Sequence, residues 1–149
     1  MQRIDEEAGP AGRSSGRTGH VQYLATGDDA MPRFMMIVKA SEESEAGVLP
    51  TREALVEMGK YNDELTKAGV MLAGEGLRDS SKGARVSFTG GRTVVTDGPF
   101  PGPAEQLVAG FWVIRAEDRD EAVEWARKVP FEDGEIEVRQ IFEESDFPA

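Results

Sequence analysis

The stretch LVAGFWVIRAEDRDEAVEWARKVP, residues 107–130, decides the fold because it places a buried strand directly before a capped helix. Its first part is apolar enough to predict a central strand at about 108–115. Asp118, followed three residues later by Glu121, matches the pattern of a capping box and marks the start of a helix. Pro130 cannot continue that helix and therefore ends it. The apolar stripe of this helix is Ala122, Trp125, Ala126 and Val129.

Working outward, the rest of the chain supplies a second strand–helix unit and a hairpin. RFMMIVKA predicts a strand at about 33–39, and Thr51 can cap a helix over about 52–68. VMLAGEGL predicts a strand at 70–77. The next stretch, ARVSFTGGRTVVTDG, reads as a hairpin with a Gly90-Gly91 turn. GEIEVRQIFE alternates and predicts a last, half-buried strand.

The order strand, helix, strand, hairpin, strand, helix, strand indicates an α+β fold of the ferredoxin-like type. It predicts an antiparallel sheet with two helices on one face and an inserted β-hairpin. Apolar residues occur at both parities of the strands, among them Met35, Ile37, Trp112, Ile114 and Ile141. Because the helices cover only one face, we expect a homodimer packed sheet to sheet.

Residues 1–30 differ from the rest and predict a disordered leader, with the domain at 31–149. Gly, Ser, Arg and acids dominate this segment, and it cannot bury enough apolar surface to offset its ordering entropy. The only histidine, His20, lies in this leader. We therefore expect it to be an incidental side chain rather than a positioned general base.

The composition excludes several classes of function. The formal charge of -11 argues against direct nucleic-acid contact and against anionic membranes. The chain has no cysteine, so disulfides, thiolate catalysis and Cys-based metal sites are excluded. No metal-ligand or nucleotide-binding spacing is present, so we expect no cofactor. No apolar run is long enough for a membrane span or a signal peptide, so the default location is cytoplasmic.

The candidate site centres on TDGPFPGPAEQ, residues 96–106, which packs an aspartate, two glycines and three prolines between strands. Asp97 either makes turn hydrogen bonds or presents a carboxylate at a cleft, as a base or ligand anchor. Pro99 would stiffen the loop and Phe100 would line a pocket. Glu75, between two glycines, is either an exposed edge residue or a second carboxylate near Asp97, which would allow acid–base chemistry.

Basic side chains follow Glu75 in the next loop. Arg78 and Lys82 either solvate that loop or bind a substrate carboxylate. Glu105 and Arg139 are weaker candidates. The tryptophans, Trp112 and Trp125, are expected to pack in the core or at a dimer interface.

Several segments in the same order resemble the YCII-related family, and more specifically its DGPF branch, over about residues 31–147. They are RFMMIVKA, MGKYNDELTKAGVMLAGEGLRDSSKGARVSF, VTDGPF and LVAGFWVIRAEDRDEAVEWARKVP with GEIEVRQIFE. The resemblance implies a ferredoxin-like fold, dimers of the α/β-barrel type and mostly unknown activity. It also implies an association of the DGPF branch with sigma-factor-like transcription proteins. Some relatives are thought to be lyases with a His–Asp pair, but the first helix here carries no histidine.

Three functions remain open from the sequence. The first is a dimer whose cleft binds a small molecule, with weak lyase or isomerase chemistry at Asp97 and Glu75. The second is a non-catalytic interaction module for a sigma-factor-like partner. The third is a structural domain with a vestigial cleft.

Overall fold

The computed structural model describes residues 2–5 and 31–148, which form seven strands and three α-helices. The strands are β1 (Gln2–Asp5), β2 (Arg33–Lys39), β3 (Met71–Gly76), β4 (Ala84–Thr89), β5 (Arg92–Asp97), β6 (Val108–Arg115) and β7 (Ile136–Gln140). The helices are α1 (Glu42–Glu45), α2 (Arg52–Lys67) and α3 (Arg119–Arg127). Short 3₁₀ turns lie at Ser80–Lys82, Ala104–Gln106 and Glu144–Asp146.

Four strands form the main sheet in the order β3-β6-β2-β7, with every neighbouring pair antiparallel. With α2 after β2 and α3 after β6, this is the split βαβ arrangement of the ferredoxin-like fold. The α+β prediction is confirmed, including the inserted hairpin. The predicted bounds of α2, β2, β3 and β6 agree with the structure to within one residue, whereas the stretch predicted as the last strand, residues 134–143, is longer than β7 by two residues at its start and three at its end.

The core lies between the main sheet and the two long helices. Alternate residues of β2 and β6 face the helices and are buried, with Phe34, Met36 and Ile114 at 1% exposure or less. Buried polar atoms in this layer have partners. Tyr61 donates a hydrogen bond from Oη to the carbonyl oxygen of Trp125 at 2.7 Å. Burial is the main reason that the pKa of Tyr61 is raised well above its usual range, with a smaller contribution from the charge of Glu64.

The buried face of α2 differs from the stripe that its apolar residues suggest. Tyr61 and Leu65 are the buried residues of this helix, whereas Leu55 is exposed. Asn62 also turns inward, where its Oδ1 accepts a hydrogen bond from Nε1 of Trp112 at 2.8 Å. The indole of Trp112 therefore belongs to the core, as predicted, and is oriented by a polar side chain of α2.

The opposite face of the main sheet carries the other parity of the same strands. Met35 and Ile37 from β2 and Phe111 and Val113 from β6 lie there, opposite one another across the sheet, and are half-buried in the single chain. No helix covers this face within the part of the chain that the structure describes. Large apolar side chains therefore line both faces of the sheet, although helices pack on one.

The hairpin inserted between β3 and β6 belongs to a second, three-stranded sheet in the order β1-β5-β4. Its strands turn at Gly90 and Gly91, with φ angles of +60° and +83°. Both angles require glycine-like freedom and match a two-residue hairpin turn. The predicted hairpin is confirmed with this turn.

The composition of the acidic stretch SEESEAGVLP, residues 41–50, predicts a loop, but the stretch contains α1, which begins with a capping box between Ser41 and Ser44. The predicted disordered leader and its His20 lie outside the described residues, apart from β1. Among the described helices, none combines the length and the apolar character that crossing a membrane requires.

Candidate functional site

The loop that follows β5 is positioned by a close approach of two backbone segments. A Cβ atom at Gly98 would lie 1.7 Å from the carbonyl oxygen of Ser80, so only glycine fits at this position. The backbone N–H of Gly98 donates to the carbonyl oxygen of Gly83 at 2.9 Å. The glycine of the Asp-Gly-Pro-Phe sequence is thus required by packing against residues 80–83.

Ser80 is the centre of a hydrogen-bond network that joins three segments. Its backbone N–H and its hydroxyl donate to the two carboxylate oxygens of Glu45, at 3.0 and 2.6 Å. Its hydroxyl oxygen also accepts the backbone N–H of Phe100 at 3.1 Å. Hydrogen bonds to a charged carboxylate are the stronger kind, so Glu45 at the end of α1 anchors both Ser80 and the Asp-Gly-Pro-Phe loop.

The turn that carries Ser80 is capped by an acidic side chain. Asp79 precedes the 3₁₀ turn Ser80–Lys82, and its carboxylate accepts hydrogen bonds from the backbone N–H and the hydroxyl of Ser81. The Ser81 hydroxyl bond is the main reason that the pKa of Asp79 is lowered, with smaller contributions from backbone N–H groups and from Lys82. Asp79 is therefore a charged cap near neutral pH.

These segments border an open cleft of about 500 Å³ at the base of the hairpin. Its volume falls within the range typical of small-molecule sites. Both apolar and charged side chains line it. The lining residues are Glu45, Leu77, Arg78, Asp79, Ser80, Lys82, Gly83, Ala84, Arg85, Phe100, Gln106, Leu107 and Val108.

Three basic side chains, Arg78, Lys82 and Arg85, are exposed at the cleft. The guanidinium carbon of Arg85 lies 4.0 Å from the centre of the Phe100 ring, so the ring holds this cation in place from one side. None of the three forms an ion pair with a described residue. The two acids of the lining are already engaged as hydrogen-bond acceptors by Ser80 and Ser81.

This arrangement can attract and orient an anion. An arginine whose face is stacked on an aromatic ring keeps its edge N–H groups available for a carboxylate or phosphate. Leu77 and Phe100 offer apolar surface beside those donors. Among the described residues, no three acidic or histidine side chains are grouped so that they could hold a metal ion.

The structure brings together some of the predicted site residues and not others. Arg78, Lys82 and Phe100 line the cleft. Pro99 precedes Phe100 in the loop and is exposed, outside the lining. Glu75 is exposed on β3, where it pairs with Phe111 on the helix-free face of the sheet. Asp97 is half-buried at the end of β5, opposite Ala84, and is also outside the lining.

Sequence reasoning missed Glu45, Ser80 and Arg85. Glu45 lies in an acidic stretch and is 35 residues from its partner Ser80, so no local pattern connects the two. Ser80 lies in the segment SSKG, whose composition indicates only a turn. Arg85 alternates with the apolar residues of β4, and that alternation could have placed its side chain on the same side as the neighbouring loop.

Comparison with known proteins agrees with the fold. An antiparallel βαββαβ domain with a hairpin between its middle strands defines the class, an α+β protein of the ferredoxin-like type. The model of the YCII-related domain matches residues 32–145. The chain therefore belongs to the YCII-related family. No significant match is found among curated proteins.

Proposed function

We propose that the protein binds a small anionic molecule in the cleft between residues 78–85 and the Asp-Gly-Pro-Phe loop. The observation that supports this is that Arg78, Lys82 and Arg85 all line a cleft of about 500 Å³, in which Arg85 lies over the Phe100 ring. A molecule with a carboxylate on an apolar or aromatic body fits both the basic and the apolar side chains of the lining. Its charge would meet the cations, and its body would pack on Phe100 and Leu77.

The physical basis of the proposed anion binding is a local excess of basic side chains at the cleft of an otherwise acidic chain. The chain carries 28 acidic and 17 basic side chains, whereas the cleft is lined by three basic and two acidic residues, and both acids already accept hydrogen bonds from serines. A charge-assisted hydrogen bond to a carboxylate is worth about 1.5–3 kcal/mol. Because the three cations are exposed, solvent and salt reduce their attraction, and we expect affinities for simple carboxylates in the millimolar range.

Calorimetric titration with benzoate, with the neutral benzamide as control, tests this proposal. Benzoate is expected to bind and benzamide is not. The double variant Arg78→Gln/Lys82→Gln is expected to weaken benzoate binding at least ten-fold, because it removes two donors from the cleft. Lys60→Gln removes one positive charge from the exposed surface of α2, outside the cleft, and should leave benzoate binding unchanged. Equal binding by the cleft variant and the wild type would refute the proposal.

Binding is better supported than turnover. Acid–base chemistry of the lyase or isomerase type would use Asp97 and Glu75, as the sequence predicts, yet neither side chain lines the cleft. We therefore propose a ligand-binding role and expect no conversion of simple lactones over hours, measured by chromatography. Conversion that is lost in Asp97→Asn would show that the protein is an enzyme and would restore the catalytic role of Asp97.

We also propose that the protein acts as a homodimer packed through the helix-free face of the main sheet. Met35, Ile37, Phe111 and Val113 form an apolar patch on this face, and such a patch is what a dimer would bury. Light scattering is expected to give a dimer for the wild type and a monomer for Phe111→Glu. Leu55→Glu introduces the same charge on the exposed side of α2 and should remain a dimer.

The finer family assignment is part of the proposal. Asp97-Gly98-Pro99-Phe100 supports membership of the DGPF branch. The alternative function is an interaction module for a sigma-factor-like protein. The feature that favours it is the exposed hairpin β4–β5, in which Phe88 is 77% exposed.

A further inference from the structure

The hydrogen bonds at Ser80 and the ring contact of Phe100 form one continuous series of contacts that ends at a cation of the cleft. The Glu45 carboxylate accepts the Ser80 hydroxyl at 2.6 Å, and the same hydroxyl oxygen accepts the backbone N–H of Phe100 at 3.1 Å. The centre of the Phe100 ring then lies 4.0 Å from the guanidinium carbon of Arg85. These contacts connect a carboxylate on α1 to a guanidinium on β4.

The first contact of this series is not explained by packing of the core. No residue of α1 is buried, and Glu45 is half-buried at the end of this four-residue helix. Its two carboxylate oxygens instead accept the backbone N–H and the hydroxyl of Ser80. Hydrogen bonds to a charged carboxylate are shorter and stronger than neutral ones. Glu45 therefore fixes the Ser80 hydroxyl, and with it the oxygen atom that holds the backbone of Phe100.

The last contact restricts the side chain of Arg85. This side chain is exposed on β4, and its guanidinium lies over the Phe100 ring. The tip of the ring is itself close to the start of β4, since a Cβ atom at Gly83 would lie 3.9 Å from the Cζ atom of Phe100. A freely rotating arginine loses side-chain entropy when it binds an anion, whereas a stacked arginine has lost part of that entropy beforehand. The position of the ring thus sets how well Arg85 is preorganised.

We propose that Glu45 and Ser80 are positioning residues of the anion site, which hold the Phe100 loop so that its ring presents Arg85 to a carboxylate in the cleft. Ser80 does not itself bind the ligand in this proposal, because its N–H and hydroxyl both donate to Glu45. The proposal rests on the anion binding proposed above and names two residues on which its affinity depends. It assigns an acidic side chain a supporting role in the binding of an anion, which charge alone does not predict.

The sign of one substitution separates positioning from electrostatics. Glu45→Gln removes a negative charge that lines the cleft, and on charge alone this change would strengthen benzoate binding. Positioning gives the opposite sign, because a carboxamide offers one acceptor oxygen and cannot accept both Ser80 donors. We expect calorimetry of the full chain to show a loss of about five-fold in affinity, which corresponds to about one net hydrogen bond.

Asp79→Asn is the matched control for charge. It removes the same charge from the same lining, and asparagine is as good a cap as aspartate for the turn at Ser80. Asp79 bonds to Ser81, which has no contact in the series that leads to Arg85. This variant is therefore expected to strengthen benzoate binding, by about two-fold.

The side-chain Nε–Hε signal of Arg85 in ¹H–¹⁵N NMR spectra reports the stacked position without any ligand. Phe100→Leu keeps the backbone N–H bond to Ser80 and removes the ring, so it defines the signal of an unstacked Arg85. Ser80→Ala and Glu45→Gln should move the signal towards that position. Phe100→Tyr restores a ring and should return both the signal and the benzoate affinity towards those of the wild type.

The outcomes distinguish the positioning role from the anion site itself. If the wild type binds benzoate but Glu45→Gln binds it equally well or more tightly, positioning is wrong and the anion site stands. If Glu45→Gln lowers the stability in urea while the Arg85 signal and the affinity stay unchanged, the network supports only the fold, and the proposal is again overturned. If the wild type does not bind benzoate, the anion site fails, and the role of Glu45 and Ser80 in binding fails with it.

Discussion

Substitution of Gly98 by alanine should disconnect the Asp-Gly-Pro-Phe loop from the turn at Ser80. The new Cβ would lie 1.7 Å from the Ser80 carbonyl oxygen and 2.7 Å from its carbonyl carbon, both of which are backbone atoms. An ordinary C···O contact is about 3.3 Å or longer, so the loop must move by roughly 1.5 Å. Such a movement breaks the Gly98 N–H bond to Gly83 and the Phe100 N–H bond to Ser80.

The magnitude follows from these losses. Two hydrogen bonds are worth about 1 kcal/mol each, and forcing a methyl group into a packed site costs about 1–3 kcal/mol. Part of the second cost is relieved if the loop swings outward, so we expect a loss of about 3 kcal/mol. For a domain of this size that corresponds to a fall in melting temperature of roughly 10 °C. Because Phe100 would leave the cleft with the loop, benzoate affinity should fall as well.

A matched control exists in the same turn. A Cβ at Gly83 would lie 3.6 Å from the same Ser80 carbonyl oxygen, an ordinary contact, and Gly83 has no positive φ. Gly83→Ala is therefore expected to change the stability by less than about 1 kcal/mol in urea denaturation. If Gly98→Ala were as stable as Gly83→Ala and still bound benzoate, the close approach of Gly98 to Ser80 would be wrong as an explanation of the loop.

Three further outcomes are expected. Tyr61→Phe should lower the free energy of unfolding by about 1 kcal/mol at neutral pH, because the carbonyl oxygen of Trp125 loses its hydrogen-bond donor. The pKa of Tyr61 is raised in the folded state, so above about pH 10 the unfolded chain loses this proton while the folded chain keeps it. The free energy of unfolding of the wild type should therefore be constant with respect to this group below about pH 10 and fall above it, by up to about 1.4 kcal/mol per pH unit. Tyr61→Phe should lack that decline in urea denaturation. Gly74→Ala places a Cβ 2.8 Å from the Trp112 ring and should lower the free energy of unfolding by about 1–3 kcal/mol. It should also shift the Trp fluorescence maximum, and an unshifted maximum would mean that the ring does not constrain this position. Raising the salt concentration from roughly 0.05 to 0.5 M should weaken benzoate binding several-fold in calorimetry, and salt-independent binding would argue for a purely apolar site.

The fold could be predicted because its signals are local. The strand at 108–115, the Asp118 cap and the Gly90-Gly91 turn each follow from a few consecutive residues. The short helix α1 could not be predicted, because its four residues are acids and serine and carry no apolar stripe. The inward face of α2 does not follow the spacing of its apolar residues, which includes the exposed Leu55, because Tyr61 and Asn62 make polar contacts that an apolar pattern does not predict.

The candidate site was only partly predictable, because its key contacts join distant segments. Arg78, Lys82 and Phe100 were predicted from the composition of two loops, and the cleft brings these loops together. The anchor of Ser80 to Glu45 spans 35 positions, and no spacing rule indicates it. The sequence of the motif favours Asp97 as its functional residue. In the structure, Gly98 has a clear role through its contact with Ser80, and Phe100 has one in the cleft wall.

Titration of ¹⁵N-labelled protein with benzoate, followed by amide NMR, can locate the ligand in the folded chain. If the cleft at the base of the hairpin binds anions, the amide signals of residues 78–85 and 98–100 should shift progressively and saturate, while benzamide should leave them in place. The Arg78→Gln/Lys82→Gln variant should abolish those shifts without altering the rest of the spectrum. Saturable shifts that map instead to a second groove, which is lined by Val123 and Arg127 of α3 and Ile136 and Val138 of β7, or no shifts at millimolar benzoate, would contradict the proposed site.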